Sequence, residues 1–430
     1  MLETGPPSTI DHEGQETEPD TEETEETEEL KESGETEEVE DDTGAEVQVI
    51  LQAQQEGRRT KLPVPVSGEE VSLWAVLRKN VGKDLSTVSF PVTFNEPLSL
   101  LQKLAEDLEY ADLLIKAVAA SDPVERMCLV AAFAVSTYAS SHYRAARKPF
   151  NPMLGETFED IRPSSRFVAE KVSHHPPVMA SYAEGEGWTY WATSGGKNKF
   201  WGRSLEIIPT GTTHLKIGEN HYQWQKPSSF MRNLMAGQKY VEHVGQMTIS
   251  DAFSDLSCVL DFKDSGFWGS SRNAVSGSVR SSDGAMVATV EGAWHESFSR
   301  QLDVDMLSVL WRANQMPQHA EQYYGFTTFA MQLNELLPSN RAFLPPTDSR
   351  LRPDQRALEE GRVDEAEVEK LRLEQEQRQR RKEREDLGKS WEPRWFSRVP
   401  GPSGLGEEWV YKGGYWETRA KKMWDNPGLW

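Results

Sequence analysis

Residues 170–177 read EKVSHHPP, with His174 and His175 in tandem ahead of Pro176 and Pro177. Two adjacent imidazoles offer closely spaced donors that can gain positive charge near neutral pH. The prolines behind them stiffen the backbone, and Pro176 biases His175 toward an extended conformation. Such a pair suits an anionic group such as phosphate. Two other roles compete with that one. A metal site needs three or four ligands in workable geometry, but the other histidines are scattered and Cys128 and Cys258 stand far apart. A turn held by imidazole hydrogen bonds needs no ligand at all. No nucleophile or acid–base partner is visible beside the pair.

Outward from this stretch, charge divides the chain. Of the formal −22 over 430 residues, the first fifty hold −19, from twenty Asp and Glu against one Lys, which leaves −3 for the rest. The low pI therefore says little about a ligand. Residues 1–65 are acidic and Thr-rich, with TEETEETEE at 21–29. They lack the apolar surface that would offset ordering entropy, and a disordered tail is expected. Two cysteines suit a reducing compartment. The N-terminus lacks the basic and apolar regions of a signal peptide, and the longest apolar stretch, around 127–135, is too short to span a bilayer. The expectation is a cytosolic protein whose membrane contact is peripheral.

A single domain is expected over 66–430. Leu73, Trp74, Leu77 and Val81 follow helical spacing, and 85–97 (LSTVSFPVTFNEP) reads as extended, punctuated by Pro91 and Pro97. Two helices are predicted over 97–145. The first places Leu98, Leu101, Leu104, Leu108 and Leu114 near one face. The second starts at Ser121-Asp122-Pro123, an N-cap followed by proline at the first helical position, and runs to about 145. Over 165–337, short β-like runs recur between Gly, Asn, Asp and Ser, as in an antiparallel sandwich or barrel. The last of these runs is 323–337. Residues 354–387 read as a densely charged helix, and the aromatic tail from Trp391 to Trp430 should pack back on the domain.

Two further polar clusters stand out. Residues 148–156 (KPFNPMLGE) put Lys148 and Asn151 beside a turn, with Arg144 and Arg147 just before it. In the charged helix, Lys370, Glu374 and Arg378 repeat every four residues, a slowly drifting stripe about 12 Å long. Such pairs on exposed helices contribute only a few tenths of a kcal/mol, so an ordinary solvated face remains open. No P-loop, G-x-S-x-G elbow, HExxH or Rossmann glycine fingerprint occurs.

The stretches LWAVLRKNVGKDLS, FNEPLSLLQKLAEDLEY, KPFNPMLGETFE, EKVSHHPP, KFWGRSLEIIPTGTTH and PTDSRLRPDQRALEEG resemble the oxysterol-binding-protein-related lipid-transfer family. The resemblance spans about 72–430. It implies an α+β fold: a near-complete antiparallel β-barrel enclosing an apolar lipid tunnel, with an N-terminal lid over 71–95 that carries Leu73, Trp74, Leu77 and Val81. A helical segment and a long charged C-terminal helix complete it. The implied function is to extract phosphatidylinositol 4-phosphate and a second lipid, a sterol or another phospholipid, and to exchange them between membranes. Carried over by motif, His174 and His175 contact the 4-phosphate, and Lys148 and Asn151 the inositol head group or its linking phosphate. Lys370, Glu374 and Arg378 complete the polar mouth. No catalytic residue, cofactor, metal or nucleic acid is implied. A monomer is expected, in transient association with endoplasmic reticulum, plasma membrane or endosomes. Lys171 stands where the family usually has Gln and adds a cation beside the histidines. Two alternatives are a lipid sensor or scaffold that signals through lid state, and a lipid-active enzyme, which the lack of a visible nucleophile–base pair disfavours.

Overall fold

The computed structural model describes residues 57–66, Trp74, Arg78, 90–144, 147–235, 237–265, 271–401 and 407–430, all within the compact unit Asp42–Trp430. The acidic run and lid residues Leu73, Leu77 and Val81 lie outside the described residues. Residues 57–66, read from composition as the end of the tail, are instead docked on the domain. Arg58 pairs with Glu335 at 2.7 Å, Arg59 with Glu359 at 2.6 Å, and Leu62 is buried in the main core. Two cations paired with one buried and one half-buried carboxylate outweigh the polar composition of so short a segment.

The predicted helix pair over 97–145 is broken into shorter pieces. Strand β1 (Asn95–Ser99) comes first, and Ser99 caps α1 (Leu100–Ala105) in a capping box with Gln102. A 3-10 turn, Glu106–Leu108, precedes α2 (Asp112–Ala119). Helix α3 (Pro123–Ser136) starts as expected, with the Asp122 carboxylate accepting from Val124 N–H and Glu125 N–H, but ends at Ser136. Every residue from Met127 to Ser136 is buried, because α3 packs against the inner face of the sheet and is covered all round.

After β2 (Lys148–Phe150), which pairs in parallel with β1, fourteen strands form one antiparallel sheet. They are β3 (Thr157–Arg162), β4 (Ser165–His174), β5 (Pro177–Gly185), β6 (Trp188–Phe200), β7 (Leu205–Thr210), β8 (Thr213–Ile217), β9 (Asn220–Trp224), β10 (Ser228–Arg232), β11 (Tyr240–Asp251), β12 (Ser257–Phe262), β13 (Ala274–Arg280), β14 (Met286–Ala293), β15 (Ser297–Asp303) and β16 (Met306–Arg312). The ends of the path, β3 and β16, do not pair, so the ring is nearly closed. Period-2 alternation supplies the core: Cys258, Leu260 and Phe262 of β12 point inward against α3, as do Met247 and Ile249 of β11. The edge strand β3 is covered where Thr157 bridges Asp348, with Thr157 N–H donating to the Thr347 carbonyl at 2.9 Å.

The strands therefore run from 157 to 312, not 165 to 337. The predicted strand at 323–337 is replaced by a 3-10 turn (Ala320–Tyr323) and α4 (Thr328–Gln332), because the Thr327 hydroxyl accepts from Ala330 N–H and caps a helix. The short α5 (Pro338–Arg341) follows. The charged helix is two: α6 (Pro353–Glu359) and α7 (Val363–Asp386), separated at Gly361, whose φ of +77° ends the first.

The aromatic tail does pack back. A hairpin of β17 (Phe396–Pro400) and β18 (Glu407–Tyr411) leads to α8 (Tyr415–Lys421). Trp395, Phe396, Tyr415 and Trp416 bury Val168, Val172 and Ala180 on the outer face of β4 and β5. The Glu170 carboxylate anchors the tail by accepting from Arg394 N–H and Trp395 N–H, both at 2.8 Å. Glu170→Ala should leave both donors without a partner and cost about 2–4 kcal/mol. Chemical denaturation measures that loss, and faster amide exchange at residues 394 and 395 would assign it to the anchor.

Candidate functional site

The site grows from the end of β4. The β4–β5 ladder slips between Lys171 and Ser173, a bulge at Val172. Ordinary alternation turns Glu170 and Val172 to the tail while buried Lys171 donates to Asn151 Oδ1 at 2.7 Å, and the bulge re-aims the residues that follow. The turn then presents His174 and His175 with ring centroids 4.4 Å apart, edge to face, and the His175–Pro176 peptide is cis.

The two imidazoles differ. His175 is exposed, and its Nε2 accepts from Arg381 Nη1 at 2.8 Å. His174 is half-buried, with Gln377 Nε2 3.5 Å from its Nε2, and its buried Nδ1 has no partner. Burial first, then the charges of Lys171, His175, Arg381 and Arg384, push His174 down to about 4. His174 is thus neutral at pH 7, its midpoint well below the range in which the sequence reading lets it gain charge. An anion would have to draw the proton in.

Loop 151–156 is held from behind. Arg352, fully buried, donates to the Asn151 carbonyl at 2.9 Å and pairs with Glu156 at 3.1 Å. Gly155 has a φ of +83°, and a Cβ there would stand 2.7 Å from the Trp391 ring, so only glycine fits. Lys148 sits with its Nζ 5.1 Å from the Phe90 ring centroid. Burial, then the cation of Lys370, lowers it to about 8, and Glu374 opposes the shift. Lys171 is likewise lowered to about 8, by burial and then by Arg352 against the opposing Glu156. Lys370 is itself 5% exposed and donates to Glu374 at 2.6 Å.

Helix α7 therefore lies along the site, and its contacts correct the sequence stripe. Arg378 is 63% exposed at its side chain and reaches the site only through Glu374, at 3.4 Å. The residues that continue the contact face are Gln377, Arg381 and Arg384. Gln377 also accepts from Leu154 N–H at 2.9 Å, and Arg384 stands 5.5 Å from the Trp391 ring centroid. At about 100° per residue, a step of eight drifts some 80° off the face, whereas steps of 7, 11 and 14 stay within about 40°. Applying the helical period strictly would have found these three. Arg144 and Arg147 are outside the site: Arg144 is buried in ion pairs with Glu96 and Glu106, and Arg147 donates to the Thr93 carbonyl. Of the lid, Trp74 packs on an apolar cluster of Phe90, Phe94 and Leu234 with Phe200, Leu205 and Met231, and Arg78 lies 4.9 Å from its ring centroid. Among the described residues, no helix is long and apolar enough to cross a membrane, and no group of three or more His, Cys, Asp or Glu is placed to hold a metal.

A nearly closed antiparallel sheet with a cluster of cations at one strand end is the arrangement to be compared with known proteins. The sequence profile of the oxysterol-binding protein family matches residues 72–420, and the chain belongs to that family. It is 45% identical over 383 residues to oxysterol-binding protein-related protein 3 of mouse, covering 87% of this chain and 44% of the relative. It is 43% identical to related protein 1B of Arabidopsis thaliana, covering 86% and 76%. The chain thus spans less than half the length of the mouse relative. The Osh3 ORD from Saccharomyces cerevisiae, solved in complex with PI(4)P, superposes with a TM-score of 0.78 at 38% identity, covering 87% of this chain and 99% of that one. The Osh1 ORD domain in complex with cholesterol gives 0.80 at 36% identity, covering 90% and 99%.

Replacing Arg381 by Gln removes one of the cations that hold His174 down, so its midpoint should rise from about 4 toward the ordinary imidazole value. An NMR titration of the ligand-free chain reads the shift directly. An unchanged midpoint would mean that Arg381 has no part in setting it.

Proposed function

We propose that this domain extracts phosphatidylinositol 4-phosphate from membranes and exchanges it for a second lipid, a sterol or a glycerophospholipid, at membrane contact sites. His174 and His175 take the 4-phosphate, Lys148 and Asn151 the inositol head group or its linking phosphate, and Lys370 with Glu374 lines the mouth. The observation that carries this reading is the set of cations Lys148, Lys171 and Lys370: Lys171 and Lys370 are buried, Lys148 is half-buried, and Lys148 and Lys171 have depressed pKa values. Like charges buried together are costly, and a polyanionic head group converts that cost into binding. The related structures, one with PI(4)P and others with cholesterol or ergosterol, support two ligand classes.

Acyl chains need cover, at about 0.8 kcal/mol per buried methylene. The lid over 71–95 supplies it, and the seat of Trp74 on the Phe90–Phe94 cluster supports that assignment. The domain works as a cytosolic carrier in peripheral contact with membranes. In this reading it is a carrier and not an enzyme: His175 Nε2 is taken up by the Arg381 guanidinium, and no nucleophile–base pair is apparent in the sequence.

His174→Ala combined with His175→Ala should abolish extraction of phosphatidylinositol 4-phosphate from liposomes while circular dichroism stays unchanged. Wild-type extraction by the folded double variant would overturn the assignment. On α7 the two cations should separate: Lys370→Glu should eliminate head-group binding, whereas Arg378→Glu should weaken it by no more than about 1 kcal/mol, as for an exposed charge. A sterol, if bound, should survive both changes.

The alkaline pH dependence follows from the lysines. Both are held near 8, and a bound anion raises them. Affinity should therefore be full below pH 8 and fall as the pH rises past it. Lys171→Gln should flatten that fall. An equally steep decline in the variant would exclude Lys171 from the head-group site.

A further inference from the structure

Two turns project beside the mouth, one joining β6 to β7 and the other joining β10 to β11. They are neighbours, because β7 pairs with β10 and Leu234 N–H donates to the Arg203 carbonyl at 3.1 Å. Both are seated on the cluster that carries Trp74: Leu234 is buried there with Phe90 and Phe94, and Phe200, Leu205 and Met231 pack against it. Lys148 meets the same cluster at the Phe90 ring. On their outer side the turns leave Trp201 61% and Met235 57% exposed.

The charge around these two side chains is one-sided. Lys197, Lys199 and Arg203 are exposed, and among the described residues no carboxylate pairs with any of them. Lys197 and Lys199 stand two apart on β6 and share one face of the strand. Glu206 is the one acid between 197 and 206, and it accepts from Trp201 Nε1 at 2.8 Å. The polar edge of the indole is thus satisfied within the chain, and the rest of the ring can leave water without losing a hydrogen bond. In the second turn Arg232 is paired with Glu242 at 2.9 Å.

The opposite end of the sheet differs in charge. Strands β11 to β16 pair in sequence, so the turns after β11, β13 and β15 lie at the far end from these two. They also expose apolar side chains, Phe253, Met286 and Val304. But they carry Asp251, Asp255, Asp283, Asp303 and Asp305, and neither Lys nor Arg. Exposure alone does not separate the two ends; charge does.

We infer that Trp201 and Met235 anchor the mouth on an anionic bilayer, at the head-group boundary, with Lys197, Lys199 and Arg203 on acidic lipids. An indole favours that boundary, and each cation held near an acidic leaflet adds to the binding. The same charge distribution sets the orientation: the basic end turns to the surface and the Asp-bearing end turns away. The inference rests on the carrier reading for membrane contact and adds the surface and the lipid charge. Docking itself requires no phosphatidylinositol 4-phosphate.

The test is co-sedimentation of the full chain with vesicles of phosphatidylcholine alone or mixed with phosphatidylserine, both free of phosphatidylinositol 4-phosphate. The chain should sediment with the mixed vesicles, less so at high salt, and hardly with the neutral ones. Trp201→Ser combined with Met235→Ser should weaken that binding about tenfold, and Lys197→Glu combined with Lys199→Glu by at least about tenfold. Phe253→Ser, at the acidic end, should change nothing. His174→Ala combined with His175→Ala should dock like the wild type, so docking and extraction can fail separately. The inference is overturned if the wild type ignores the mixed vesicles, if it binds neutral vesicles equally well, or if both turn variants dock unchanged. It is also overturned if Phe253→Ser weakens docking as much as they do, or if a single-stranded oligonucleotide binds as tightly as the mixed vesicles and displaces them.

Discussion

Arg352 is the residue on which the arrangement turns. Its guanidinium forms two bonds with Asp354, at 2.7 and 2.8 Å, a third with Glu156 and a fourth with the Asn151 carbonyl, and it stacks 5.0 Å from the Phe150 ring centroid. One buried cation thus joins α6, the loop before the edge strand β3, and the β2 motif. Desolvating such a cluster is costly, and it is stable only because each carboxylate is bonded further: Glu156 accepts from Met153 N–H and Ser349 Oγ–H. The site lysines do not bear on a flexible loop. They bear on a bracket.

That rigidity allows the mouth to keep an unfavourable charge distribution. Lys148, Lys171 and Lys370 cannot relax away from one another, because β2, β4 and α7 are fixed by other contacts. His174 answers by shedding its proton, and Lys148 and Lys171 by lowering their pKa. The cluster is therefore less cationic than its residue list.

The EKVSHHPP stretch serves two faces of the sheet. Glu170 and Val172 hold the aromatic tail outside, while Lys171 and the histidines serve the mouth. The bulge at Val172 makes the division possible, since a regular ladder would carry strict alternation to the end of the strand. Anchoring of the tail and shape of the mouth are coupled through one strand end.

The sequence by itself determined a good deal. Alternation and turn residues marked most strands between 188 and 293, Asp122 and Pro123 marked the start of α3, and the tandem histidines marked the mouth. These are local signals, carried by side-chain period and backbone preference, and they need no distant partner. It could not determine that 323–337 is helical, that residues 57–66 dock, or that Lys171 and Asn151 share a hydrogen bond, because each depends on groups far along the chain. Even on α7 the sequence offered the correct helix and the wrong third residue. Arg378 keeps a four-residue rhythm, but the surface that α7 meets selects Gln377, Arg381 and Arg384. The tertiary structure also decided the charge of His174. A pKa is set by burial and neighbouring cations, and only the folded chain brings Lys171, Arg381 and Arg384 around one imidazole.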